Sequence, residues 1–273
     1  MIHPLTISMW LGIAVELAML TALMGGLTLY QRWQPLSPET SRKLFHIGGG
    51  LTTLTFPWVF ASSWSVVLLA LITIPSLLAL KYIRAFKGNL GSVLYRVDRS
   101  SFGELYFPLS VCLLFVFARA NTLLFFIPVL ILTLADPAAA MIGGRYGRLR
   151  YMLVRGRKSV EGSATFFLVA FPCVLIPLLL FAAIAPGEAI LIAALVGLLV
   201  MLAEAMAWEG LDNLFIPLCS CLLLTGLLRL NMPFLLLDLA LTLCLLGTTF
   251  WLARQHASST TGKEERHVKN AAR

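Results

Sequence analysis

The hydrophobic residues of this chain fall in long runs rather than in the half-polar patterns of water-facing helices and strands. Apolar runs cover residues 7–29, 44–61, 64–82, 104–118, 122–142, 164–185, 189–207, 213–229 and 233–253. Runs of this length predict helices that cross a bilayer, because only a helix satisfies its own backbone in lipid. The pattern therefore predicts an all-α polytopic integral membrane protein of about nine transmembrane helices, seven at the least. The second run contains "GGG" and Pro57, the fourth is short and carries Pro108, and the eighth is short too. Each of these is expected to be tilted, re-entrant or broken. The first run is long enough to span and lacks a cleavage site, so it reads as a retained helix. Residues 1–253 read as one transmembrane domain without internal repeats. Residues 254–273, "RQHASSTTGKEERHVKNAAR", read as a polar, disordered tail.

Composition agrees, with 59% hydrophobic and 12% charged residues and a mean hydropathy of +0.88. That is more apolar surface than one soluble core needs. The net charge of +8 has no soluble basic domain to carry it, so nucleic acid is not an expected partner. Cys112, Cys173, Cys219, Cys221 and Cys244 lie inside apolar runs without paired CxxC spacing, which suits packing rather than zinc or disulfides. The placement of charge is more telling than its sum. Nine spans put 19 of the 21 Lys and Arg on one side, all but Arg119 and Arg229. Because cytoplasmic loops collect cations, the N-terminus is expected outside and the C-terminus in the cytoplasm, in a bacterial plasma membrane.

The unusual polar groups converge on that side. In "SRKLFHIGGG", Arg42 and His46 share a helical face, with Lys43 beside them. Anchoring at the interface accounts for the two cations, while the glycines permit close approach by a neighbour or ligand. Asp136, in "LADPAAAMIGG", is a carboxylate in an apolar run and so a candidate functional residue, by pairing with a cation or by binding a metal. A hard ion such as Mg²⁺ suits a carboxylate with waters and phosphate oxygens.

The following loop holds Arg145, Arg148, Arg150, Arg155, Arg157 and Lys158 interleaved with Gly143, Gly144, Gly147 and Gly156. It closes with "KSVEGS", where Lys158, Ser159, Glu161 and Gly162 open the next span. A cation run facing anionic lipid explains the charge. A polyphosphate explains the glycines, the hydroxyl and the lysine as well, through backbone N–H donors and a helix start. The spacing is not that of a Walker A loop. Glu204 and "EGLDNLFIP" add Asp212 and Asn213, which serve as helix caps, as metal ligands or, for the carboxylates, as bases. Arg96, Asp98, Arg99 and Glu104 read more simply as mutual salt bridges. Glu16 and Asp238 are polar groups within spans one and nine, and Glu16 admits a role in packing or in a transport path.

In their order and spacing, "RKLFH", "ADPAAAMIGGRYGR", "KSVEGS" and "EGLDNLFIPL" resemble the CTP-dependent lipid-alcohol kinases. That family includes phytol and farnesol kinase, dolichol kinase and the yeast-type diacylglycerol kinase. The resemblance runs from about Glu39 to Leu218, and the chain's size is similar to the phytol kinase branch. It implies phosphoryl transfer from CTP, or another nucleoside triphosphate, to the hydroxyl of a membrane-dissolved alcohol, with Mg²⁺. It also implies a nucleotide site among Arg42, Lys43, Gly143, Gly144, Arg145, Arg148, Lys158, Ser159, Glu161 and Gly162. Asp136, Asp212 and Asn213 are the expected metal ligands, and Asp136, Lys158, Asp212, Glu204 and His46 the candidates for catalysis.

Phosphatidate cytidylyltransferases share the central Asp, the small residues and a Lys-x-x-Glu-Gly segment. They also carry Lys-Asp and His-Gly-Gly elements followed by Asp-Arg-x-Asp, where this chain reads "EAMAWEGLDNLFIPL". An ion-coupled transporter is a further reading, which predicts polar paths to both faces.

Overall fold

A computed structural model describes residues 7–34, 36–82, 102–118, 121–152 and 157–248. Arg96, Asp98, Arg99, Arg119, Arg155 and the 254–273 tail lie outside the described residues. The chain divides into two compact units, Met1–Arg229 and Leu230–Arg273.

Each predicted apolar run contributes a helix among the described residues. In the first unit these are α1 (Met9–Trp33), α2 (Pro38–Thr53), α3 (Phe56–Val59), α4 (Ser63–Tyr82), α5 (Gly103–Ala118) and α6 (Thr122–Tyr146), followed by α7 (Val160–Phe181), α8 (Pro186–Met206) and α9 (Asp212–Leu227). The second unit contributes α10 (Met232–Thr248). Helices α1, α4, α6, α7 and α8 have 20 to 25 residues and are apolar enough to cross a membrane. At 1.5 Å per residue that length matches a hydrocarbon core of about 30 Å. Helices α5, α9 and α10 are shorter apolar helices.

Local sequence explains the boundaries. The hydroxyl of Ser37 accepts the Thr40 N–H at 3.1 Å with Pro38 in the first turn, starting α2, and Asn121 accepts the Leu123 N–H to start α6. The second apolar run is broken, as its glycines and proline predict: α2 ends at Thr53, and α3 resumes at Phe56 with Pro57 in its first turn. Pro108 in α5 and Pro137 in α6 stay within continuous helices.

The most buried helix is α6, packed by α2, α5, α7 and α9, while α8 packs on α7 and α9, and α4 on α1 and α5. Ile127, Val129, Ile131, Leu132 and Ala135 of α6 are fully buried. Gly50 sets the closeness of α2 to α6, since a β-carbon there would collide with the Thr133 side chain. The loop before Lys158, read from the sequence without secondary structure, contains a small antiparallel hairpin. Its strands are β1 (Arg150–Met152) and β2 (Arg157–Ser159), and it sets Tyr151 opposite Lys158. All five cysteines are free thiols within helices.

Candidate active site

Lys43, His46 and Gly50 recur at three- and four-residue spacing, so one face of α2 carries all three toward α6. The close approach at Gly50 fixes the register of that face. Lys43 Nζ donates to Asp136 Oδ2 at 2.7 Å, and both residues are buried. His46 Nε2 lies 3.0 Å from the carbonyl oxygen of Leu132 and 3.9 Å from Asp136 Oδ2. A carbonyl only accepts, so Nε2 carries the hydrogen in this contact and, in neutral His46, Nδ1 is left as an acceptor. Cation pairing, one of the two readings of Asp136, is thus realised by Lys43.

The second half of the site is brought in by the hairpin. Ser159 is buried and caps α7 by accepting the Gly162 N–H at 3.1 Å. Gly143, Gly147 and Gly162 enclose this serine: a β-carbon at Gly147 would lie 2.6 Å from its hydroxyl, and one at Gly143 2.9 Å. The glycines of the motif therefore close the joint between α6 and α7. Glu161 Oε1 accepts the backbone N–H groups of Arg148 and Leu149, at 2.9 and 3.2 Å. Three backbone donors of the loop and the helix start thus have protein acceptors, and Glu161 braces the loop.

Lys158, on β2, is paired through Nζ with Glu204 Oε1 in the last turn of α8. Burial opposes the lysine's charge, but the adjacent Glu204 carboxylate outweighs it and raises the Lys158 pKa above the ordinary lysine value. Asp212 stands in the first turn of α9 rather than at its cap, and its Oδ1 accepts the Asn213 N–H at 3.0 Å. The preceding turn holds Glu209 at φ 51° and Gly210 at φ 92°. A left-handed conformation at a non-glycine residue is a strained feature that functional turns often contain. Here the turn lets Glu209 accept the Phe102 N–H at 3.1 Å, while Asn213 Nδ2 donates to the Gly103 carbonyl at 2.7 Å. Asp212 makes no ion pair among the described residues.

These groups form one cluster. Arg42 and His46 interact electrostatically with both Asp136 and Asp212, and Lys158 with Glu204, Asp212 and Asp136. Arg42 is also forked onto Glu39, a partner the sequence reading missed although it lies one turn away. Arg145 and Arg148 are exposed beyond the cluster, and Gly144 is open to solvent with room for a β-carbon. Glu104, read as part of a salt-bridge group with Arg96, Asp98 and Arg99, is paired with Lys81 at 2.7 Å. Glu16 is buried in α1 and accepts the Thr55 hydroxyl at 2.9 Å.

The resemblance implies Mg²⁺, and the donor set can be tested against it. Among the described residues no three His, Cys, Asp or Glu side chains gather as a metal site. Asp136 and Glu204 are held by lysines, whereas Asp212 is within ion-pair distance of no cation among the described residues. Mg²⁺ ordinarily takes one or two carboxylates and fills its shell with water and substrate phosphate. The residues fit an ion that arrives with a nucleotide.

An apolar cavity of about 240 Å³ adjoins the cluster, among α1, α2, α4 and α5. Arg42, His46 and Asn213 line it at the charged end, and Phe56, Val66 and Val111 at the other. The cavity is not visible from the residue pattern, because helices apolar all round do not reveal which side faces a void.

No protein-family model and no solved structure matches the chain. Among curated proteins it is similar to a phytol kinase from Synechocystis sp., at 28% identity over 226 residues, covering 81% of this chain and 93% of that protein. Along four-fifths of its length, the chain resembles the phytol-kinase-like lipid kinases, as its motifs imply.

Proposed function

We propose that this protein is a membrane kinase that transfers a phosphoryl group from CTP, or another nucleoside triphosphate, to the hydroxyl of a lipid alcohol such as phytol, farnesol, a polyprenol or diacylglycerol. The observation that carries this reading is the junction of a charged cluster with an apolar cavity through Arg42, His46 and Asn213. A charged head and a greasy tail need such a junction, and the similarity to a phytol kinase supports it.

In this mechanism the alcohol oxygen attacks the terminal phosphorus. A new P–O bond forms, the bond to the bridging oxygen breaks, and the nucleoside diphosphate leaves. Lys158 turns from Glu204 to the phosphates, and Arg42, Arg145 and Arg148 supply a positive rim. His46 is the base we assign: Leu132 and Asp136 orient its Nε2–H, leaving Nδ1 to take the hydroxyl proton. Lys43 keeps Asp136 ionised and in place. Asp212 would hold Mg²⁺ together with water and the nucleotide phosphates, and the ion would supply neutralisation of the charge on the phosphate oxygens. The cluster end faces the cytoplasm in this proposal, which the placement of 19 of 21 Lys and Arg supports.

The deciding assay offers labelled CTP, ATP, GTP and UTP to washed membranes with phytol, farnesol, an undecaprenol-like alcohol, diacylglycerol or phosphatidate. The expected product is a lipid monophosphate with release of nucleoside diphosphate. Incorporation of the nucleotide with release of pyrophosphate would overturn the kinase reading in favour of a cytidylyltransferase.

A further inference from the structure

We infer that the apolar cavity holds the tail of the acceptor end-on as a single prenyl chain, and that an aromatic floor centred on Phe56 sets the longest chain accepted. This deepens the kinase reading and rests on it for the identity of the occupant.

The cavity is directional. Its charged end lies along the first half of α2 and beside the starts of α5 and α9, where Arg42, His46 and Asn213 line it. From there it runs past Thr73 to Val66 along α4 and to Thr53 along α2. Seven residue steps of α2 from His46 to Thr53 and fourteen of α4 from Leu80 to Val66 correspond to a depth of ~10–21 Å at the helical rise. That suits a tail of the farnesyl-to-phytyl class and is too short for a long polyprenol.

The walls are more apolar than their composition. Thr21, Thr53, Thr73 and Ser76 line the cavity, yet each hydroxyl donates to the carbonyl oxygen four residues back in its own helix, at 2.7–2.8 Å. Their hydrogens are spent locally, so they ask for no polar partner from the occupant. Only the charged end has groups suited to a hydroxyl. An amphiphile with one polar head is therefore oriented in one way, with its oxygen at His46.

The floor is rigid. The break between α2 and α3 carries Phe56 beneath the cavity, edge-on to Phe60 at 5.1 Å between centroids and stacked with Phe125 at 6.3 Å. Phe115 stands edge-on to Phe125 at 5.2 Å, and Val66 and Leu114 close the cluster. Such packing does not yield to an extra isoprene unit without displacing an aromatic ring.

The test pairs two measurements on full-length protein: turnover with prenols of rising length, and competition of the same prenols against tritiated farnesol bound to the purified protein. Wild type should prefer the farnesyl-to-phytyl range in both, with diacylglycerol and long polyprenols poor competitors. Phe56→Ala should shift the preference toward longer chains, and Val66→Phe toward shorter ones. Thr73→Phe, at mid-depth, should exclude more of the series than Val66→Phe. Each shift is expected to change the long-to-short ratio by roughly tenfold or more, the scale of a pocket that gains or loses hydrocarbon. Equal binding of long polyprenol and phytol by wild type overturns the inference without any variant. So does an unchanged ratio in folded variants. Length-dependent binding that shifts with the variants but produces no lipid phosphate keeps the cavity assignment and overturns the kinase reading.

Discussion

Two lysine–carboxylate pairs stand in the cluster, and they are not equivalent. Lys43 and Asp136 sit on two helices locked together at Gly50 and Thr133, with side chains 6% and 3% exposed. Lys158 sits on a three-residue strand and is 23% exposed, while its partner Glu204 is 6% exposed. The first pair is enclosed by protein, so neither partner has water to replace the other. The second has a lysine within reach of an incoming anion, and Glu204 holds its place until one arrives. Under the proposed kinase reading the contrast separates scaffold from chemistry: Lys43 keeps Asp136 charged and oriented, and Lys158 would exchange its carboxylate for phosphate.

The largest effect should come from breaking the enclosed pair. Asp136→Asn leaves the Lys43 ammonium buried without its counter-charge, a defect that costs about 3–5 kcal/mol in comparable sites. Thermal unfolding in detergent, followed by size exclusion, should show a marked loss of folded protein, and membranes should lack activity. The double variant Lys43→Met with Asp136→Leu should recover folding without recovering activity. An Asp136→Asn protein as heat-stable as wild type would remove the scaffold half of the comparison.

The exchangeable pair should behave in the opposite way. Lys158→Met with Glu204→Gln removes both charges together, so folding should be kept while turnover falls about 10²–10³-fold, as for loss of one transition-state donor. Glu204→Gln alone frees Lys158 and should leave turnover within about tenfold of wild type. A loss nearer the 10²–10⁴-fold scale of general base catalysis would instead assign Glu204 to proton transfer and displace His46 from that role.

The parts of this architecture legible in the sequence are those that local rules control. Long apolar runs fixed the helices, the Gly and Pro content of the second run foretold its break, and Asp136 stood out because lipid tolerates few charges. The spacing of Lys43, His46 and Gly50 displayed the shared face, but not the helix it meets, since Lys43 and Asp136 are 93 residues apart. The hairpin was illegible because three-residue strands leave no alternation to detect. Glu161 read as a ligand for nucleotide, yet its carboxylate is directed to the Arg148 and Leu149 amides across the loop, a contact that exists only once the hairpin has formed. The cavity was hidden for the same kind of reason. Phe56 and Val66 are ordinary apolar residues until four helices set them around a void.

The smallest effect belongs to the cations whose side chains form no ion pair among the described residues. Arg145 and Arg148 are exposed and form no ion pair among the described residues, although Arg145 lies 5.4 Å from the ring of Tyr146. Unlike Lys43 they brace nothing, and unlike Lys158 they release no partner when a nucleotide arrives. In the proposed reaction their contribution is the field at the entrance, which would raise the local concentration of a polyanion and is screened beyond ~8 Å at physiological salt. Arg145→Gln with Arg148→Gln should therefore raise the KM for nucleotide by only about two- to fivefold at low salt, leave kcat unchanged, and lose most of that difference near 1 M salt, where the screening length is ~3 Å. A fall in kcat that persists at high salt would mean that one of these arginines touches the phosphates directly, and would move it into the same class as Lys158.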